Sequence, residues 1–573
     1  MKIDKVMNNN PQRFYHFAAD ARLLEEAPSC EECLAITLSL TINGQVYQIP
    51  GANVKECSVS AFRFGFNGTL GFYAPDDQRP DQLLSAFTGA ELITVDLAIT
   101  AVLNLPKQAP PAFAIKALVS EKSLREQAYR QVKGAPVLYR YYQINFCDPA
   151  QLLWQQHYPS ELYVDDCMST VIKAQVPAIF KLEIDFAPAD EVTPLICLAL
   201  GNTENLHTYR NGASNQASFY DFLLAYILDN NGFFIYDYLN HTYRISDKEP
   251  QLQTTTAFLP HQIANIQHQW PAIKRSVTNL LNGTADNCQN TPLVNPKAVD
   301  GIKHDLILRH AIDEQFTQHK ARQEQKLAVA GATIYLSLNQ WPMKSCWPEC
   351  EVSLDPTVDG QHFVHAKQQY RCNSVYIEAR ALDSRPEKDV DLKFSQYQLR
   401  YRTVSHLANN PQPHLPPHVL AHYPVYVEGL IVSEQGEQDE KTFDVPENPD
   451  TGQFEYKVKI PLWDITIKLV LEADFLHSHF YFPLYRNTKL LLAFDLYQAH
   501  IVKVLNWGDG VQLPMATQGN HILFGKTSDD QTSVSHVYKD GKPILAIKRT
   551  KQNDTELVQM EEGSIILQTC EDS

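Results

Sequence analysis

The amino-acid sequence predicts a mainly β protein with α+β insertions, and three observations carry that prediction. From Tyr423 to Cys570 the chain reads as short β-branched and aromatic runs split by Gly, Asn, Asp and Pro, with no helical period. Thirty-four Pro stand against 23 Gly, a balance suited to edges and turns rather than to long helices. The 26 Phe and 27 Tyr require folded cores to bury them. At 573 residues the chain is too long for one core, so several domains are expected.

The elements follow in chain order. Cys33–Leu40, Gln45–Ile49, Ser58–Phe64, Thr69–Phe72 and Leu92–Leu103 predict strands, with Asn-Gly turns at Asn43-Gly44 and Asn67-Gly68 supplying positive φ. Ala112–Val119 and Ala135–Asn145 continue the pattern, giving a first β-rich domain over residues 1–147. Asp148-Pro149 signals a helix start, a capping side chain followed by Pro at the first helical position. Ala150–His157 and Asp166–Ala174 then predict short helices, and Ile179–Phe186 a strand. Ser218-Phe-Tyr-Asp221 resembles a capping box, and Phe219, Phe222, Leu223, Tyr226 and Ile227 share one helical face. Asn230-Asn231-Gly232 stops that helix, and Phe233–Leu239 pairs with Thr242–Ser246 across Asn240-His241. These make a helix-and-hairpin domain over 148–250.

Ile312–Ala328 carries helix-favouring residues, many of them charged or Gln. Thr333–Leu338, His362–Ala366, Asn373–Leu382 and Asp391–Thr403 predict a second β-rich domain within 251–410. Pro411, Pro413, Pro416 and Pro417 form a stiff connector. Tyr423–Val432, Phe454–Pro461, Thr466–Glu472, His479–Phe482, Lys489–Phe494 and His500–Val504 fit a small closed barrel of the OB type over 411–510. From Gln518 onward, His521–Phe524, Ser533–Tyr538, Pro543–Arg549, Glu556–Met560 and Ser564–Thr569 alternate apolar with polar residues. Such a ribbon cannot bury its own apolar positions. Residues 511–573 are therefore expected to intertwine with copies of themselves as a symmetric β-prism. Val534, Val537, Ile544, Leu545, Ile547, Leu557, Val558, Ile565, Ile566 and Leu567 would form the interface of that homotrimer.

Composition narrows the function classes. The net charge of −17 argues against a phosphate-backbone binder, so no nucleic acid is expected. No charged region followed by an apolar core opens the chain, so no cleaved signal peptide is expected, and no apolar run reaches the length of a membrane span. Eleven Cys without a repeating frame do not describe a disulfide scaffold. Cys30-Glu-Glu-Cys33 is the single CxxC, and Cys346 with Cys350 is too distant and differently spaced to complete a zinc knuckle with it. Free, mostly buried cysteines and no metal are the expectation. His414, His418 and His422 recur every four residues, but Pro416-Pro417 breaks any helix that would align them. His477 and His479 would share one face of a strand without a third ligand. No HExxH, GxSxG, Walker-type or Gly-rich dinucleotide motif is present, so neither catalysis nor a cofactor is expected. Asp529-Asp530 and Glu561-Glu562 read as solvated turns.

Three passages resemble VgrG, the spike-hub family of type VI secretion and related contractile injection systems. They are Tyr129–Leu138 followed by Phe146-Cys-Asp-Pro149; Tyr209–Asp247; and Val458–Trp463 with Phe480–Val504. The resemblance covers most of the chain. The helix carries Leu-Leu-Ala-Tyr where the family usually has an Arg and acidic residues, the family's usual Gly-Asp turn is missing between Phe494 and His500, and no effector domain is expected. The resemblance implies a trimeric, non-enzymatic hub with two β-barrel-like domains per chain, an OB-fold and a β-prism. It implies contacts with a hexameric inner-tube protein of the Hcp kind, a PAAR-like tip, baseplate proteins and effectors. It also implies assembly in the bacterial cytoplasm before delivery. A phage or tailocin baseplate hub differs from this in setting and not in physics; a monomeric multidomain carbohydrate-binding β protein is the alternative from another class.

Overall fold

The computed structural model describes residues 28–76, 81–102, 112–129, 137–201, 217–252, 255–284, 288–309, 313–327, 331–344, 346–354, 357–358, 361–362, 364, 368–408, 415–432, 455–470, 484, 486–506, 520–527 and 530–571. Most of the expected Tyr129–Leu138 passage, Tyr209–Gln216, Pro411, Pro413, His414, His477 and the His479–Phe482 strand lie outside these residues. The described residues form two compact units that do not follow chain order. One draws on the chain up to Tyr158, on Ile172–Glu191 and on the stretch ending at Ala421. The other draws on Pro159–Val171, the segment from Val192, and everything from His422.

The first unit is built on one 13-stranded sheet. Seven of its strands come from the N-terminal stretch: β1 (Cys30–Ile42), β2 (Gln45–Ile49), β3 (Val54–Phe62), β4 (Gly65–Asp76), β5 (Ile93–Ala101), β6 (Phe113–Tyr129) and β7 (Val137–Cys147). The other strands that close it are the arms of a long hairpin, Gln369–Ala381 and Phe394–Leu407. The first arm pairs with β3, and the sheet then runs β3–β4–β7–β6–β5–β1 to the second arm. The arms pair with each other, so eight antiparallel strands make a closed ring. Strict alternation fills it. Ile93, Val95, Leu97, Ile99 and Ala101 of β5 are buried and the residues between them are not.

The same two arms also carry a second set of strands. Beyond the ring, Gln369–Arg371 pairs with Glu351–Leu354, which takes Thr255–Phe258 in parallel. Tyr401–His406 pairs with Thr333–Leu338, which takes Ile263–Gln269. Residues assigned from sequence to 1–147 and 251–410 thus belong to one continuous sheet. A small three-stranded sheet, Val277–Gly283 with Cys288–Leu293 and Lys303–Leu308, had no clear sequence signal. It packs Leu280 and Leu293 on Phe316 of the helix Asp313–Lys326.

Local chemistry explains the helical insertion. Ser218 caps the helix Phe219–Asp229 through a reciprocal box with Asp221, and Asn231 at φ 53° ends it. The hairpin Phe233–Asp237/Thr242–Ser246 adds Lys181–Asp185 as a parallel third strand. Trp154 anchors this part, with edge contacts to Phe180 and Phe219 and its indole N–H on the Gln175 carbonyl at 2.8 Å. The helix expected over Asp166–Ala174 starts at Met168, because Asp166 and Cys167 finish the strand Ser160–Cys167. Asn67-Gly68 is not a turn. The β3–β4 hairpin reverses at Arg63-Phe64, and Gly68 sits inside β4, where a Cβ would strike the Ser58 carbonyl.

A single carboxylate ties three elements of this unit together. Asp148 caps the helix Pro149–Trp154 by accepting the Gln151 amide at 3.0 Å. It also accepts the Tyr243 hydroxyl at 2.7 Å and the Phe66 amide at 3.3 Å. Gly65, at φ +154°, lets the hairpin come this close, since a Cβ there would meet the Asp148 carboxylate. Burial pushes Asp148 up from its ordinary value to about 6. A second polar knot joins β3 to the long hairpin. Arg63 pairs with Glu249 at 2.9 Å and with Glu349, while Arg371 on the first arm pairs with Glu349 and, at 3.4 Å, with Glu249. All four side chains are nearly buried, and the charges balance.

In the second unit a five-stranded antiparallel sheet runs Ile465–Val470, Glu455–Ile460, Val425–Ile431, Lys489–Phe494, Ala499–Asn506. Numbered along the chain, the strand order is 3-2-1-4-5. Ile431, Val458, Ile460, Leu490, Leu492 and Phe494 form its core, and Leu162, Leu195 and Cys197 of the hairpin Ser160–Cys167/Val192–Ala199 complete it. The hairpin is held by the Trp463 indole on the Ser160 carbonyl at 2.9 Å and the Cys197 amide on the Leu496 carbonyl at 2.8 Å.

Two outcomes follow from the buried charges. Because the folded state raises the Asp148 pKa, its contribution to stability is full below pH 3.8 and is lost as pH rises through about 6. A shift of that size amounts to about 3 kcal/mol. Denaturant unfolding of the parent chain should therefore weaken relative to Asp148→Asn between pH 4 and 6.5, with no further divergence above. Arg63→Met strands Glu249 and Glu349 on one arginine, and should cost about 3–5 kcal/mol in the same measurement.

Candidate functional site

A broad exposed apolar surface lies on the terminal ribbon. Asn520–Thr527, Asp530–Lys539, Lys542–Lys551, Asp554–Glu561 and Ser564–Cys570 pair in that order, every neighbour antiparallel. Two-residue turns set the register. Asp540-Gly541 has both residues at positive φ, Gln552 leads the next turn, and Gly563 closes the last.

That register sorts the side chains into two unlike faces. On one face Ile522, Val534, Ile547, Val558 and Leu567 stand directly opposite one another, one from each strand. A second row beside it carries His536, Leu545, Met560 and Ile565. Leu567 is 76% exposed, Ile565 68%, Ile522 49% and Ile547 45%. A five-strand aliphatic ladder open to water is a surface that a folded chain seldom leaves uncovered. The opposite face intersperses Ser533, Ser535, Lys548, Gln559 and Gln568 with Leu523, Val537, Leu557 and Ile566. Ile544 and Ala546 on that face are already buried.

The ten residues expected at an interface therefore divide. Val534, Leu545, Ile547, Val558, Ile565 and Leu567 lie on the ladder face, whereas Val537, Ile544, Leu557 and Ile566 point the other way. Hydrophobicity selected all ten; only the register separates them. Ile522, Phe524 and Met560 belong to the ladder face as well and could have been found by counting in twos from each turn.

The cysteines are rearranged by the fold in a way their spacing did not suggest. Cys30 and Cys33 sit three apart on β1, so they point to opposite faces. Cys346 and Cys350, on the loop before Glu351–Leu354, converge with Cys372 of the long hairpin, and their three buried sulfurs lie within 4.8 Å of one another. Hydrogen bonds from the Cys346 and Cys372 thiols push the Cys350 thiol below its ordinary value. Cys372 had no sequence signal, being 22 residues from Cys350. His418 and His422 lie in chain without regular secondary structure.

No protein-family model and no curated protein matches the sequence. Solved structures do match. A chain of the lidless PdpA–VgrG complex aligns at a TM-score of 0.67 and 12% identity, over 94% of this chain and 98% of that one. A chain of the lidded Francisella PdpA–VgrG complex gives the same TM-score and identity over 94% of this chain and 80% of that one. The half-lidded Francisella complex gives 0.66 and 12%, over 96% and 90%. At this identity the likeness establishes the fold alone, that of a β-rich chain from a PdpA–VgrG complex; VgrG is the family the sequence motifs resemble.

An exposed ladder of this width should drive self-association. Lys at both Ile547 and Leu567 is expected to raise solubility and shift sedimentation toward the smallest species. Lys at Ser533 and Gln568, on the other face, should leave sedimentation unchanged.

Proposed function

We propose that this protein is a structural, non-enzymatic hub and spike that caps the inner tube of a contractile injection machine and is driven into a target envelope. The observation that carries this reading is the shared fold with a chain of the PdpA–VgrG complexes along nearly the full length of both chains. The ladder face supports it. Three ribbons wrapped around one axis would bury the apolar rows that one chain leaves in water, at about 1.5–3 kcal/mol for each large aliphatic side chain fully covered. The working division is 1–147 and 251–410 as two tube-facing β-rich parts, 148–250 as helix and hairpin, 411–510 as an OB-fold and 511–573 as the prism. The 3-2-1-4-5 strand order of the five-stranded sheet supports the OB assignment.

In a trimer, two barrel-like parts per chain would present six quasi-equivalent positions, which lets a three-fold object seat on a hexameric, Hcp-like tube. The narrow end would carry a PAAR-like tip or effectors, and baseplate proteins would surround the hub. Assembly in the bacterial cytoplasm and export by contraction complete the reading.

Light scattering on a sizing column tests it. A mass near three times 65.1 kDa, with a three-fold rod by electron microscopy, is the expected result. A 65.1 kDa monomer at micromolar concentration would overturn it. Truncation before Gln518 should weaken or abolish the trimer; full trimerisation of the truncated chain would remove the ribbon as the clamp.

A further inference from the structure

We propose that Cys346, Cys350 and Cys372 form a thiolate site for one zinc ion, which locks the loop 346–350 onto the long hairpin. Among the described residues this is the one place where three Cys, His, Asp or Glu ligand atoms converge within 4.8 Å. In a tetrahedral site with Zn–S near 2.3 Å, sulfurs stand roughly 3.8 Å apart, so closing these three around a metal takes shifts of about 1 Å or less. Cys346-Trp-Pro-Glu-Cys350 has a three-residue spacer, inside the range in which one turn presents two thiolates to one ion.

The backbone is built to hold that turn in place. The Glu349 amide donates to the Cys372 carbonyl at 2.9 Å, the Cys372 amide to the Cys350 carbonyl at 2.9 Å, and the Cys350 amide to the Trp347 carbonyl at 3.2 Å. The Tyr401 hydroxyl donates to the Cys346 carbonyl at 2.7 Å. Glu349, between the ligands, sits at φ +75°, a strained setting for a residue with a Cβ that persists only where its surroundings impose it. Cys372 lies at a bulge, where the two arms of the hairpin slip in register. Ser405, fully buried, is directly opposite Cys372. Its hydroxyl, hydrogen-bonded to the Cys372 thiol, is the oxygen that would complete the ligand set. On binding, the thiols give up their protons to solvent, so the site weakens as pH falls. Its consequence is mechanical. The metal would fix Glu349, which bridges Arg63 of the closed ring to Arg371 of the hairpin.

The test uses the full chain. After gel filtration, elemental analysis should find about one zinc per chain, and cobalt exchanged into the site should show thiolate-to-cobalt charge transfer with intense tetrahedral visible bands. Cys350→Ser and Cys372→Ser should each lower bound zinc by about tenfold or more, while Cys570→Ser, at the exposed end of the ribbon, should retain it. Should the serine variants fail to fold, the cobalt spectrum and zinc release by a mercurial in the parent chain still decide. Zinc below about a tenth per chain with all three thiols free to alkylate in denaturant, or a disulfide joining any two of them, overturns the proposal.

Discussion

The long hairpin Gln369–Ala381/Phe394–Leu407 is the constraint on which the first unit depends. Its arms close an eight-stranded ring at one end and carry further strands at the other. A strand that pairs along both parts of its length cannot slip by one residue without turning two cores inside out. The bulge between Cys372 and Ser374 falls where the first arm passes from Glu351–Leu354 to β3. An extra residue at such a junction re-aims the strand between two differently curved sheets.

Polar groups are placed where the sheet needs alignment rather than extra burial. Asp148 orients a helix end, a hairpin tip and Tyr243 at once, and it does so at the expense of a buried carboxyl. The Arg63–Glu249–Glu349–Arg371 group joins the ring to the hairpin, with each charge balanced by an opposite neighbour. Buried ion pairs of this kind add little net stability over an apolar core but are costly to break singly.

The ribbon follows the opposite logic. Its turns are tight and its register is regular, yet one face leaves aliphatic rows in water. A strand edge beside an apolar face left in water is the combination that natural sheets bend away, charge or cover.

How much of this was legible follows from where each signal resides. Alternation and turn residues located the ribbon strands, the Ser218 cap, the Asp148-Pro149 helix start and most of the N-terminal strands, because these depend on neighbours within a few residues. Asn67-Gly68 misled for the complementary reason: Gly68 answers to the Ser58 carbonyl on the next strand, not to a turn. The three-stranded sheet around Leu280 escaped because its apolar contacts are few and its strands are polar outside them. The sequence by itself determined a β-rich chain, its helical insertion and its unburied tail. Only the tertiary structure decided that two β-rich stretches share one sheet, that six of the ten residues expected at an interface share a face, and that Cys372 meets Cys346 and Cys350. Those facts depend on pairing across tens to hundreds of residues, which local propensity does not encode and which is set by the register of the long hairpin.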